Sequence, residues 1–70
     1  MEIYETIKVR LVEEIKGSGM TTAQIGKLIG VSPEMVTQYM TTKKLPKLDT
    51  FAKLCKALDF DANYILGIKN

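Results

Sequence analysis

TTAQIGKLIGVSPEMVTQYM, residues 21–40, decides the fold. Thr21, followed three residues later by Gln24, spells a capping box, in which each side chain satisfies the other's backbone amide at a helix start. Met20 and Ile25 flank that box at the two staple positions. Ile25, Leu28 and Ile29 supply an apolar face, and Gly30 stops the helix, because glycine readily takes the left-handed conformation of a helix end. Ser32 and Pro33 open another helix: serine caps it, and proline fills the first position, where its missing N–H costs nothing. Val36, Tyr39 and Met40 follow at spacings of three and four and mark its buried side. Two short helices joined by a turn of three or four residues with a glycine in it make a helix-turn-helix over about residues 21–41, and Gly26 lets the two approach closely.

The same periodicity extends outward in both directions. Ile3, Ile7, Leu11 and Ile15 recur every four residues and predict a first helix, widened by Tyr4 and Val12 and ended at Gly17-Ser18-Gly19. TTKKLPK, residues 41–47, reads as a loop, since Pro46 bars helix. Leu48, Phe51, Leu54, Cys55 and Leu58 predict a fourth helix. Asp61 caps a short fifth, with Tyr64, Ile65 and Leu66 facing inward. No strand pattern, repeat or linker interrupts the series, so the expectation is an all-α fold of five helices forming one domain over residues 1–70.

Composition narrows the functional classes. With 46% apolar and 26% charged residues, the chain is ordinary globular material. Cys55 is the single cysteine and histidine is absent, which removes an internal disulfide, a cysteine-based zinc site and a histidine-activated nucleophile, and suits a reduced intracellular setting. Cys55 is read as a small apolar residue. No apolar run approaches the length of a membrane span, and MEIYETIK, residues 1–8, lacks the basic start and apolar run of a signal peptide. The net charge of +2 is unevenly spread. Residues 1–20 carry −1 and residues 57–70 carry −1, whereas residues 21–56 carry +4, through Lys27, Lys43, Lys44, Lys47, Lys53 and Lys56 against Glu34 and Asp49. Positive charge gathers where the helix-turn-helix lies, as in a protein that meets nucleic acid.

From about Ile7 to Gly67 the sequence resembles the Cro and lambda-repressor type of helix-turn-helix domain, the XRE family. TTAQIGKLIGVSPEMVTQY resembles its core motif, and KKLPKLDTFAKLCKALDFDANYILG resembles its loop and last two helices. Three departures stand out. Thr22 occupies the place of a common phosphate-binding glutamine, Ile15 and Met40 replace an arginine–glutamate pair, and Thr42 replaces a common glycine. An apolar pair in place of a buried ion pair leaves such a fold intact. A β-branched residue avoids positive φ, so the turn at Thr42 is expected to differ locally.

The resemblance implies sequence-specific binding of double-stranded DNA, by a bacterial or phage-encoded regulator or repressor of the phage or prophage type. Such a protein acts in the cytoplasm at the nucleoid, as a homodimer on a palindromic operator. Its third helix, about 33–41, lies in the major groove, and the base-reading positions map onto Pro33, Glu34, Thr37 and Gln38. Glutamine bonds adenine bidentately, glutamate accepts from cytosine N4, and threonine offers a methyl to thymine. Glu34 is equally read as a helix-start stabiliser. Thr22, Lys27, Thr41, Lys43, Lys44 and Lys47 are the expected phosphate contacts, with the lysines alternatively a solvated surface. Phe60, Tyr64 and Ile68 are the expected dimer surface. No metal, cofactor or catalytic residue is expected. The alternative reading is a protein-interaction module of the same fold, antitoxin-like or regulator-binding, favoured by the absence of any cation between Val31 and Thr42.

Overall fold

The caps written into the chain place its helices. In the computed structural model, which describes residues 2–69, α1 (Ile3–Gly17), α2 (Thr22–Ile29), α3 (Pro33–Thr41), α4 (Leu48–Leu58) and α5 (Ala62–Ile65) follow in order. The expected domain limits, Met1 and Asn70, lie outside the described residues. The capping box of α2 closes on both sides: the Gln24 amide donates to Thr21 Oγ1 at 3.1 Å and the Thr21 amide to Gln24 Oε1 at 2.9 Å. Ser32 Oγ accepts from the Met35 amide at 3.1 Å. Asp61 Oδ1 accepts from the amides of Asn63 and Tyr64 at 3.0 and 3.3 Å. Each bond satisfies an amide that a helix start leaves without a partner.

The crossing of α2 and α3 is built from backbone. Gly30 ends α2 with φ of 77°, and the amides of Gly30 and Val31 both turn back to the Gly26 carbonyl, at 2.8 and 3.0 Å. The returning chain passes so close to α2 that a β-carbon on Gly26 would lie 2.5 Å from the Val31 carbonyl oxygen. Only glycine permits that approach.

Leu11, Ile15, Ile25, Ile29, Val36, Phe51, Leu54 and Ile65 form one buried cluster drawn from all five helices, with Tyr39 buried beside it and Met20, Val31 and Met40 packed against its edge. Each such side chain contributes roughly 1.5–3 kcal/mol of burial. Ile15 and Met40 thus both serve the apolar core, as expected of an apolar pair at these two positions. No buried polar residue is present among the described residues.

Three residues assigned to apolar faces lie outside the core. Leu28 is 52% exposed, Ile3 74% and Leu48 84%. In α2 the buried line runs through Ile25, Gly26 and Ile29, and at 100° per residue Leu28 is rotated roughly a quarter-turn away from it. Ile3 and Leu48 are the first residues of their helices, and Leu48 stands at the mouth of a shallow apolar cavity lined also by Ile7, Leu11 and Leu66 without being covered by it. Thr42 takes extended backbone, with φ of −121°, so the chain leaves α3 without a left-handed residue, as a β-branched side chain requires.

Candidate nucleic-acid interface

Burying Val36 and Tyr39 settles which way the rest of α3 faces. Glu34, Thr37, Gln38 and Thr41 fall three, four and seven residues apart, share the opposite side of the helix and are all exposed, as is Pro33. Tyr39 is a core residue, 4% exposed. Burial, then the Asp49 carboxylate, pushes its phenol above the ordinary value and keeps it neutral.

Hydrogen bonding makes this face poorer in donors than its composition suggests. The Thr37 hydroxyl donates to the Pro33 carbonyl at 3.2 Å, and the Thr41 hydroxyl donates to the Thr37 carbonyl at 2.9 Å. Both protons turn back onto the helix, a habit of helical threonine. What remains outward is the Thr37 methyl, the acceptor lone pairs, the Glu34 carboxylate and the Gln38 amide. Gln38 therefore carries the available side-chain N–H donors of the stripe.

Cations flank α3. Lys43, Lys44 and Lys47 are exposed in the loop between α3 and α4, and Lys27 is exposed on α2. Among the described residues the one ion pair is Lys69–Asp61, at 3.9 Å, so no neighbouring carboxylate neutralises these four. Thr22, at the first position of α2, is half-buried. Lys47 precedes α4 and makes no side-chain cap there, which leaves the first amides of that helix turned outward beside a cation, an arrangement suited to phosphate. Asp49 takes one of them for itself, accepting from the Thr50 amide at 2.9 Å.

Residues outside the motif hold this loop. The Tyr4 hydroxyl donates to the Lys43 carbonyl at 2.5 Å, and the Lys8 ammonium donates to the Lys44 carbonyl at 2.8 Å and to the Tyr39 carbonyl. Thr42 Oγ1 donates to the Gln38 carbonyl at 2.7 Å and accepts from the Lys44 amide at 3.2 Å. Burial of Lys8 lowers its pKa from the ordinary value, the direction expected of a cation partly withdrawn from water. Sequence periodicity places Tyr4 and Lys8 on the first helix but carries no sign of this role.

Among the described residues no three histidine, cysteine, aspartate or glutamate side chains gather as metal ligands, and no helix is long and apolar enough to cross a membrane. A sequence model described as a helix-turn-helix domain matches residues 10–63. The chain belongs to the helix-turn-helix domain family. The match spans α2, α3 and α4 and is consistent with the Cro-type resemblance. No curated protein and no solved structure matches the chain. A helix-turn-helix domain is a DNA-binding module, and the family is typically not enzymatic.

Proposed function

We propose that this helix-turn-helix protein binds double-stranded DNA sequence-specifically and regulates transcription, as a repressor or regulator of the phage or prophage type, acting at the nucleoid in the cytoplasm of a bacterium. The observation that carries the reading is the exposed stripe Glu34, Thr37, Gln38 and Thr41 on α3, bordered by lysines without acidic partners. α3 lies in the major groove. Pro33, Glu34, Thr37 and Gln38 meet base edges, while Thr22, Lys27, Lys43, Lys44 and Lys47 meet phosphates, as does Thr41 once its hydroxyl turns from the Thr37 carbonyl, where it donates in the free chain. This division supplies affinity through charge and specificity through neutral and acceptor groups. It favours adenine, cytosine and the thymine methyl over guanine, whose major-groove edge presents acceptors only.

One helix of this length reads a short half-site, so residues 1–70 act as one domain within a homodimer on a palindromic operator with half-sites about one helical turn apart. Of the three residues expected at the dimer surface, Ile68 is 74% exposed, while Phe60 and Tyr64 pack against the core with only part of their surface outward. The dimer contact therefore centres on Ile68.

The test is selection from randomised duplexes followed by salt titration on the recovered site. The expected result is an enriched palindrome whose affinity falls steeply with salt, by roughly 0.9 log units per phosphate contact for each tenfold increase. Failure to bind any duplex at low salt would refute the proposal. It would favour the second reading, a protein-binding use of the same α3 surface, to which the absence of lysine and arginine on that helix lends support.

A further inference from the structure

We infer that Lys8 and Tyr4, on α1 and outside the helix-turn-helix, are positioning residues for phosphate contact: they hold the backbone of the α3–α4 loop so that Lys43 and Lys44 stand at a fixed place beside α3. This rests on the DNA-binding reading above. The loop from Thr42 to Lys47 has no regular structure, and two long flexible cations on a free loop would sacrifice much of their binding energy to ordering. Three donor bonds from α1 prevent that. Tyr4 takes the Lys43 carbonyl, and Lys8 takes the Lys44 carbonyl together with the Tyr39 carbonyl in the last turn of α3.

The geometry of Lys8 is specific to this task. An ammonium offers three donors and no acceptor, and here it bridges the end of the reading helix to the loop that follows. The Tyr39 carbonyl is among the last four of α3, which have no amide of their own helix to accept from. A cation at that end also favours the helix dipole. With Thr42 joined to Gln38 and Lys44 by its own hydroxyl, the backbone of Lys43 and Lys44 is tied from two sides while both side chains remain exposed. The carbonyls are spent inward and the ammonium groups are left outward.

The test uses the full chain carrying Tyr4→Phe or Lys8→Met. Affinity is measured across salt on the duplex recovered by selection and on an unrelated duplex, with amide hydrogen exchange followed in the free protein. Tyr4→Phe is the decisive variant, because it removes one tie without removing any charge. Each variant is expected to weaken binding to both duplexes by the same factor, roughly threefold to tenfold for a missing hydrogen bond. The salt slope becomes shallower, and exchange at the Lys44 amide accelerates while that at Ile25 and Leu54 does not. Wild-type affinity and slope for Tyr4→Phe would overturn the inference, even if Lys8→Met is weakened, since Lys8 would then be a direct phosphate contact. Unchanged exchange at Lys44 in both variants would overturn it as well. Should the unaltered chain bind no duplex, the DNA reading fails and the positioning role falls with it; the exchange data still report separately on whether α1 holds the loop.

Discussion

The Thr37 hydroxyl donates to the Pro33 carbonyl one turn back along α3, at 3.2 Å, so a residue on the exposed face proposed to read DNA has already committed its proton. Thr37→Val, which keeps the methyl and the β-branch, is therefore expected to bind the selected duplex within about threefold of wild type, whereas Thr37→Ala gives up the thymine-methyl interaction at a cost of roughly 1 kcal/mol. Equal weakening in the two variants, in a binding titration, would show that the hydroxyl itself reads DNA.

Gln38 holds the outward donors of the stripe. Gln38→Ala is expected to cost about 1–3 kcal/mol on the native site and to relax preference at one base step, visible as diminished enrichment at that position in a randomised-site selection. Undiminished discrimination would remove Gln38 from the base-reading set.

Lys43 and Lys44 are expected to act on every sequence alike. Changing both to alanine reduces the slope of log affinity against log salt by roughly 0.9 for each phosphate that is no longer neutralised, with the ratio of specific to non-specific affinity preserved. An unaltered slope would mean that neither ammonium meets phosphate.

A β-carbon at Gly26 collides with the Val31 carbonyl, a backbone atom that cannot swing aside. Gly26→Ala is expected to destabilise the fold by about 1–3 kcal/mol. At Gly30 space is open but φ is 77°, so Gly30→Ala costs about 1–2 kcal/mol through strain alone. Thermal denaturation of the two variants measures both, and a Gly26→Ala protein as stable as wild type would show that the α2–α3 crossing can widen.

Burial, and then the Asp61 carboxylate, pushes the Cys55 thiol above its ordinary value of 9.0. The folded chain then keeps a proton that the unfolded chain has released. The stability due to this group is complete below pH 9.0 and is lost as pH rises through the folded-state value. Alkylation near pH 9 is accordingly expected to run slower on the native protein than on the chain in denaturant. Equal rates would contradict the raised value.

The helix-turn-helix was legible in the sequence because its determinants are local. Thr21 with Gln24, Ser32 with Pro33, and Gly26 with Gly30 each act within a few residues, and the caps they predict are the ones that form. The exposed face of α3 was legible for the same reason, since burying Val36 and Tyr39 leaves little choice about where Glu34 and Gln38 point. Ile3, Leu28 and Leu48 fall outside the core because an apolar stripe can be wider or longer than the surface its neighbours cover. The ties from α1 to the loop were invisible because they join residues 31, 36 and 39 positions apart, across which no periodicity runs. The hydroxyl bonds of Thr37 and Thr41 were equally hidden, because composition shows a donor without showing where it is spent.

Among the described residues, Glu34, Thr37, Gln38 and Thr41 bond through their side chains to nothing beyond their own helix, while the crossing that aims the helix is made by backbone at Gly26 and Gly30. The stripe and the crossing thus rest on separate residues, so a substitution at Glu34 or Gln38 breaks no side-chain bond that holds α3 against α2.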